Sequence, residues 1–198
     1  MIRKIIRITV FKALHQKLKN EGFFDKTLID KIDPLFHSLE TKKGEVLLRQ
    51  GETARYLYFI NKGCLRVFCV QDDGKESTRF FAFENRFATA FPSFISQQPS
   101  SAFIDTVEKS SLLKIHYDDF QSLLRTIPEW ERLYRQDLER DYIESIQRIE
   151  SFVTMNAGER YRRILKNEPH LIQRLPNKIL ANYMGISQET LSRLKSKD

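Results

Sequence analysis

One apolar stripe constrains this chain more than any other feature. After Pro128, the residues Trp130, Tyr134, Leu138, Tyr142, Ile146, Ile149 and Val153 recur in steps of three or four. That is the spacing of one face of an α-helix, and charged residues occupy the other faces. A stripe of roughly 24 residues corresponds to about 36 Å of helix, which is long for a small domain. A helix of this length between a β-rich segment and a second helical segment is expected to lie partly on its own domain. It is also expected to pair with its own copy in a dimer. We place it at residues 128–153, with the seven stripe residues as the dimer face.

The segment ahead of the stripe has a different texture. From Leu39 to about Tyr117, "KKGEVLLRQGE", "YLYFINKGCLRVFCV" and "STRFFAF" are short runs rich in β-branched and aromatic residues, punctuated by Gly44, Gly51, Gly63 and Gly74. Asp73-Gly74 is a tight-hairpin signal, because the turn needs positive φ at its centre. Strands at this spacing predict a small antiparallel roll or barrel. With 41% hydrophobic residues in 198, the chain can bury a good core. Cys64 and Cys69 stand five residues apart in an apolar run. An odd separation on a strand sends them to opposite faces, so no bridge is expected. Two cysteines without metal-ligand spacing leave buried thiols in a reducing cytosol as the expectation, and the chain is placed in the cytoplasm. The first twenty residues are apolar but interrupted by Arg7, Lys12, His15 and Lys17. They predict a basic amphipathic helix over about Thr9–Lys19 rather than a signal or membrane segment.

Charge and the final residues point to a polyanion. The net charge is +7, with six Lys/Arg and no acid in Met1–Asn20, and six Lys/Arg against only Glu168 in Arg160–Lys178. Such clusters suit nucleic acid, although a basic surface is often just a solvated one. In "TMNAGERYRRILKNEP", Asn156 or Thr154 is a possible cap of a helix that stops before Pro169. In "LANYMGISQETLSRLKSKD", Pro176 or Asn177 opens a helix, Gly185 ends it with positive φ, and Ser187 caps the next. Glu189 lies in that helix's first turn, where the dipole favours an acid. Ile186 and Leu191 anchor the corner, so the local features are those of a helix-turn-helix. The second helix then presents Gln188, Glu189, Ser192 and Arg193 on one side. Arg can bind guanine O6 and N7, Glu can accept from the cytosine amino group, and Gln suits adenine. These four are the expected base readers, and Lys178, Ser187, Lys195 and Lys197 the expected phosphate contacts.

Taken together, "LLRQGETARYLYFINKGCLRVFCVQDDGKESTRFFAFENRF", the long helix and "LANYMGISQETLSRLK" resemble the Crp/Fnr superfamily of bacterial transcription regulators, in the short form common in Bacteroidetes-type bacteria. The likeness runs from about Leu28 to Lys195. It implies a cyclic-nucleotide-binding-like β-roll, a dimerising helix and a C-terminal helix-turn-helix, with Glu189, Ser192 and Arg193 on the family's base-contacting positions. Members that bind a cyclic nucleotide hold the ribose with a Gly-Glu pair and the phosphate with Arg followed by Ser or Thr. The matching positions read Thr89-Ala90 and Ser100-Ser101. Without the Arg, a phosphate would lose a charge-assisted bond worth on the order of 1.5–3 kcal/mol, so cyclic AMP is not expected to bind. Phe87, Thr89, Ala90, Ser100 and Ser101 remain the candidate effector pocket for an unknown small molecule. An iron–sulfur sensor needs four cysteines, and His15, His37, His116 and His170 carry no accompanying haem signature, so no cofactor is expected.

The expectation is therefore an α+β chain with three parts: helices and an antiparallel β-roll over 1–127, a dimerisation helix over 128–153, and a helix-turn-helix over 154–198. It is expected to be a homodimeric regulator of transcription, not an enzyme. It would bind an inverted-repeat operator in double-stranded DNA, with RNA polymerase as a further partner and no membrane. The rival is a β-roll that binds a small molecule or a protein without specific DNA recognition.

Overall fold

The computed structural model describes residues 2–22 and 25–196. Its architecture is α+β. Helices α1 (Ile2–Asn20) and α2 (Lys26–Ile32) precede strands β1 (Phe36–Thr41), β2 (Val46–Leu48), β3 (Tyr56–Lys62), β4 (Leu65–Val70), β5 (Glu76–Ala82) and β6 (Phe87–Ala88). Helix α3 (Phe91–Ser96) separates these from β7 (Phe103–Thr106) and β8 (Ser110–His116). Helices α4 (Tyr117–Thr126), α5 (Pro128–Thr154), α6 (Ala157–Asn167), α7 (Pro169–Arg174), α8 (Asn177–Met184) and α9 (Gln188–Lys195) complete the chain. Helix α1 starts well before Thr9, where the sequence reading began it.

The strands form two four-stranded sheets, in the orders β1-β8-β3-β6 and β2-β7-β4-β5. The pairings resolved are antiparallel, with Phe59 opposite both Phe87 and Leu113 in the first sheet and Val67 opposite Ile104 in the second. Residues Leu57 to Ile60 are all buried, so β3 is covered on both faces. One side of this strand meets a cluster built on Trp130, whose ring packs edge-on against Phe36 and Phe87 at 5.7 and 5.8 Å. Phe87 in turn contacts Phe59. Edge-to-face contacts of this kind add to the area buried, because the positive ring edge meets the negative face.

Helix α5 is one element but enters two compact units: Met1–Phe68 with Phe80–Asp137, and Cys69–Arg79 with Leu138–Asp198. In the first unit, α5 contributes Trp130, which is 1% exposed, and Leu133 to the core. Tyr134 packs on Phe120. Asp137 accepts from Lys17 of α1 at 2.8 Å, and both side chains are buried. A buried pair adds little net stability, but removing one partner strands the other, which is costly. Local signals behave as their chemistry requires. Gly74 takes φ +80° in the β4–β5 turn, closed by Gln71 N donating to Lys75 O. His116 caps α4, its Nδ1 accepting from Asp118 N at 3.3 Å. Cys64 is buried, Cys69 partly so, and both are free thiols. Among the described residues, no helix is long and apolar enough to cross a membrane.

The split of the stripe is measurable. Trp130→Ala should remove about 3–5 kcal/mol of stability by leaving a cavity against Phe36 and Phe87, read as a lowered urea midpoint by circular dichroism.

Candidate nucleic-acid interface

The helical end of the second unit is assembled from capped pieces. Asn156, one of the two candidate caps, closes a capping box: Glu159 N donates to Asn156 Oδ1 at 3.1 Å, and Asn156 N to Glu159 Oε2 at 2.8 Å. A cap of this type is worth about 1 kcal/mol. Tyr161, Ile164, Leu171, Leu175, Leu180, Ala181, Met184 and Leu191 supply the buried core of α6 to α9.

The corner between α8 and α9 follows from Gly185. It takes φ +66°, and its N–H donates to Asn182 O while Ile186 N donates to Ala181 O. This pair of bonds satisfies carbonyls that the end of α8 would leave open. Ser187 then caps α9 by accepting from Thr190 N at 3.2 Å, and Leu191 is fully buried beneath the corner. Ile186 is only half-buried, so Leu191 and Met184 are the stronger anchors.

On the outside of α9, the structure brings Gln188, Glu189, Ser192 and Arg193 together as one exposed polar face. Glu189 is held below the usual carboxylate range, first by a bond to its own backbone N–H, then by Ser187 and by the Arg193 charge. It is therefore an anion at neutral pH and can only accept. Arg193 reaches back one turn to donate to Thr190 Oγ1 at 3.2 Å. Of the basic residues expected on phosphates, Lys178 is exposed, whereas Lys195 donates to Asn177 Oδ1 at 2.7 Å. The Ser187 hydroxyl serves the cap, and Lys197 lies outside the described residues.

What holds this corner in place was not legible beforehand. A Cβ on Gly185 would come within 2.9 Å of the Phe152 ring of α5. Arg148 and Arg160 both stack on Phe152, with guanidinium carbons 5.2 and 4.9 Å from its centre. Arg160 donates to Met155 O and Met184 O, Arg163 to Gln147 O, and Arg148 to Tyr183 O. The last turn of α8 thus meets two cations, as its dipole favours. No spacing rule announces Arg148, because its partners are carbonyls 35 and about 70 residues away in the chain.

The apolar stripe divides. Trp130 and Tyr134 serve the core of the first unit, whereas Leu138, Tyr142, Ile146, Ile149 and Val153 remain exposed, Val153 at 79% and Tyr142 at 66%. Ile143 and Phe152 widen that exposed face.

The residues expected to form an effector pocket are largely occupied by their own chain. Phe87 packs on Phe59 and Trp130, and Ala90 is buried at the start of α3. Thr89 Oγ1 donates to Tyr56 O at 2.9 Å. Ser100 is buried, its hydroxyl donating to Ala102 O and accepting from Ala102 N, while Ser101 is exposed. None of the five lines the cavity of about 380 Å³ bounded by Leu47, Leu48, Glu52, Thr53, Ala54, Arg55, Tyr56, Tyr58 and Ile104. Burial, reinforced by Tyr56 and Glu52, keeps the Tyr58 phenol above its ordinary range, so it stays a protonated donor at that wall. Among the described residues, no cluster of three or more His, Cys, Asp or Glu could hold a metal.

Comparison with known proteins follows these modules. Residues 38–127 match the cyclic nucleotide-binding domain family. The transcriptional activator protein FnrA of Stutzerimonas stutzeri is 26% identical over 164 residues, covering 77% of this chain and 66% of that protein. The alignment thus spans just under two thirds of that relative. The cAMP-activated global transcriptional regulator CRP of Salmonella typhimurium is 29% identical over 83 residues, 42% of this chain and 40% of its own length. Among solved structures, the c-di-GMP responsive global regulator CLP of Xanthomonas campestris superposes with a TM-score of 0.70 at 19% identity, covering 87% of this chain and 91% of its own. FixK2 from Bradyrhizobium japonicum also gives 0.70 at 15% identity, covering 82% and 83%.

The corner supplies a stability test. Gly185→Ala should cost about 1–2 kcal/mol from the left-handed backbone alone, and more from overlap with Phe152. Pairing it with Phe152→Leu should give a smaller loss than the two single losses added, measured by urea denaturation.

Proposed function

We propose that the chain is a homodimeric, sequence-specific DNA-binding regulator of transcription of the Crp/Fnr type, a reading supported by the cyclic nucleotide-binding domain match at residues 38–127 and by the likeness to the regulators FnrA and CLP. The observation that carries the proposal is the exposed face of α9, behind a capped corner with a buried Leu191 anchor. A helix end presented in this way can enter the major groove, where each base pair shows a distinct pattern of donors and acceptors. Arg193 would leave Thr190 and donate to guanine. Glu189, an obligate acceptor at neutral pH, would accept a hydrogen bond from the cytosine amino group. Gln188 and Ser192 would complete the reading set. Lys178, Ser187, Lys195 and Lys197 would hold phosphates, with Lys195 exchanging its bond to Asn177 for one to the backbone of DNA.

The dimer is proposed from the exposed half of the stripe. A continuous apolar face at Leu138, Tyr142, Ile146, Ile149 and Val153 on a charged helix is surface that a partner removes from water. A second copy presents the same stripe, and two-fold pairing would set two reading helices against an inverted repeat. The protein would work in the cytoplasm and with RNA polymerase, without a catalytic step. Cyclic AMP is not its proposed effector. The Arg of cyclic-nucleotide binders is replaced by Ser100, whose hydroxyl is bonded to Ala102 in its own chain.

Two measurements test this reading. Ile146→Asp places a charge in the stripe and should give monomers in sedimentation velocity; a fully dimeric variant would move the interface elsewhere. A duplex selected by the protein from a random pool should be an inverted repeat with half-site centres about 34–36 Å apart or a multiple of that. On that duplex Arg193→Ala should cost roughly 1–3 kcal/mol per half-site and relax one base preference. Lys178→Ala should weaken all sequences alike and lower the salt slope by about one. Unchanged preference in Arg193→Ala would remove α9 as the reader.

A further inference from the structure

Arg148 lies in the exposed half of α5, yet it is half-buried and its guanidinium is shared among three backbone carbonyls. Nη1 donates to Arg79 O and Nη2 to Thr78 O, each at 2.9 Å. Nη2 also donates to Tyr183 O at 2.9 Å. The plane of the group stacks on Tyr183, 4.2 Å from its centre, and more loosely on Phe152. Three segments distant in sequence therefore meet on one side chain: the β4–β5 hairpin, α5, and the last turn of α8.

The physical demands at each contact explain why an arginine is there. Strand β5 is the edge of its sheet, so its outward carbonyls need donors. Tyr183 lies in the final turn of α8, where carbonyls lack partners within the helix and the dipole favours a cation. Only a planar group with a fork of N–H donors can serve all of these at once and still stack on a ring. The residues Cys69–Arg79 belong to the same compact unit as the helical end of the chain.

We infer that Arg148 is a positioning residue for the reading helix, and that through it the β4–β5 hairpin, held at Thr78 and Arg79 of β5, is a working part of the DNA-reading module. The carbonyl it holds is two residues before Gly185, which sets the angle at which α9 leaves the corner. Loss of the fork frees that turn without removing any group that touches DNA. The inference rests on α9 being the DNA reader.

The test uses the full chain with Arg148→Lys and Gly74→Val, singly and together. Lysine keeps the charge but not the planar fork. Valine at Gly74 meets open space but is strained at φ +80°, so it disturbs the hairpin tip without touching Arg148. Each protein is titrated, well below its melting temperature, with a duplex selected by the wild-type chain and with a shuffled duplex. Each single variant should lose about tenfold in affinity for the selected duplex, with shuffled-duplex affinity and salt slope unchanged. The double variant should lose no more than the worse single one. A merely stabilising Arg148 would lower the melting temperature and leave the selected-to-shuffled ratio intact, and that result overturns the inference. Losses that multiply in the double variant overturn it as well, since the hairpin would then act independently. Should Arg148→Lys not fold, hydrogen exchange on Gly74→Val decides: faster exchange at Gly185 and Ile186 supports the tie, and unchanged exchange there refutes it. A wild-type chain with no preference between the duplexes would defeat the DNA-reading proposal itself, and this inference with it.

Discussion

A single continuous helix carries two different obligations, and most of the structure follows from how it meets them. Helix α5 runs unbroken from Pro128 to Thr154, about 40 Å at 1.5 Å per residue. Its first turns bury Trp130 and Leu133, and its last ones leave Ile149 and Val153 in water. A helix that is apolar along its whole length must find cover along its whole length. The roll supplies that cover only as far as Asp137, where the buried pair with Lys17 marks the end of the first unit. Beyond that point the same periodic stripe changes from core to surface.

The helix-turn-helix shows how a small helical module of short elements is made definite. Helices α8 and α9 have eight residues each, too short to persist alone. Their ends are therefore closed by specific chemistry: a left-handed glycine and paired carbonyl bonds at one, a serine cap at the other. Arg148 and Arg160 add cations where the carbonyls of α8 end, and Phe152 leaves room at Gly185 for hydrogen alone. The result is that the residues of α9 with base-edge chemistry need no packing role. They lie outside the buried anchor of the corner.

The roll matches the cyclic nucleotide-binding domain family over residues 38–127, and its candidate pocket residues are satisfied within their own chain. Thr89 bonds to Tyr56 and Ser100 to Ala102, so both hydroxyls are taken up by backbone of the roll itself. A small hydroxyl beside a backbone carbonyl is satisfied locally, whereas an arginine at that place would reach outward for an anion. Open volume lies instead beside Glu52, Arg55, Tyr56 and Tyr58.

The residues alone determined whatever depends on neighbours in the chain. The hairpin at Asp73-Gly74, the cap at Ser187, the cap at Asn156 that Thr154 rivalled, the left-handed Gly185 and the periodicity of α5 all arise from interactions within a few residues, and each is legible as such; the His116 cap is equally local but was not read from the sequence. So was the polar face of α9, because helical spacing decides which side chains share a side. The same local rules could not divide the stripe, since Trp130 and Val153 belong to one run of three- and four-residue steps and the run does not say what covers each end. Nor could they foresee Arg148. In sequence it is one more basic residue on a charged helix; its carbonyl partners become neighbours only after the strands and helices have packed. Side-chain-to-backbone contacts across 35 or 70 residues leave no periodicity and no composition bias, so only the tertiary structure decides them.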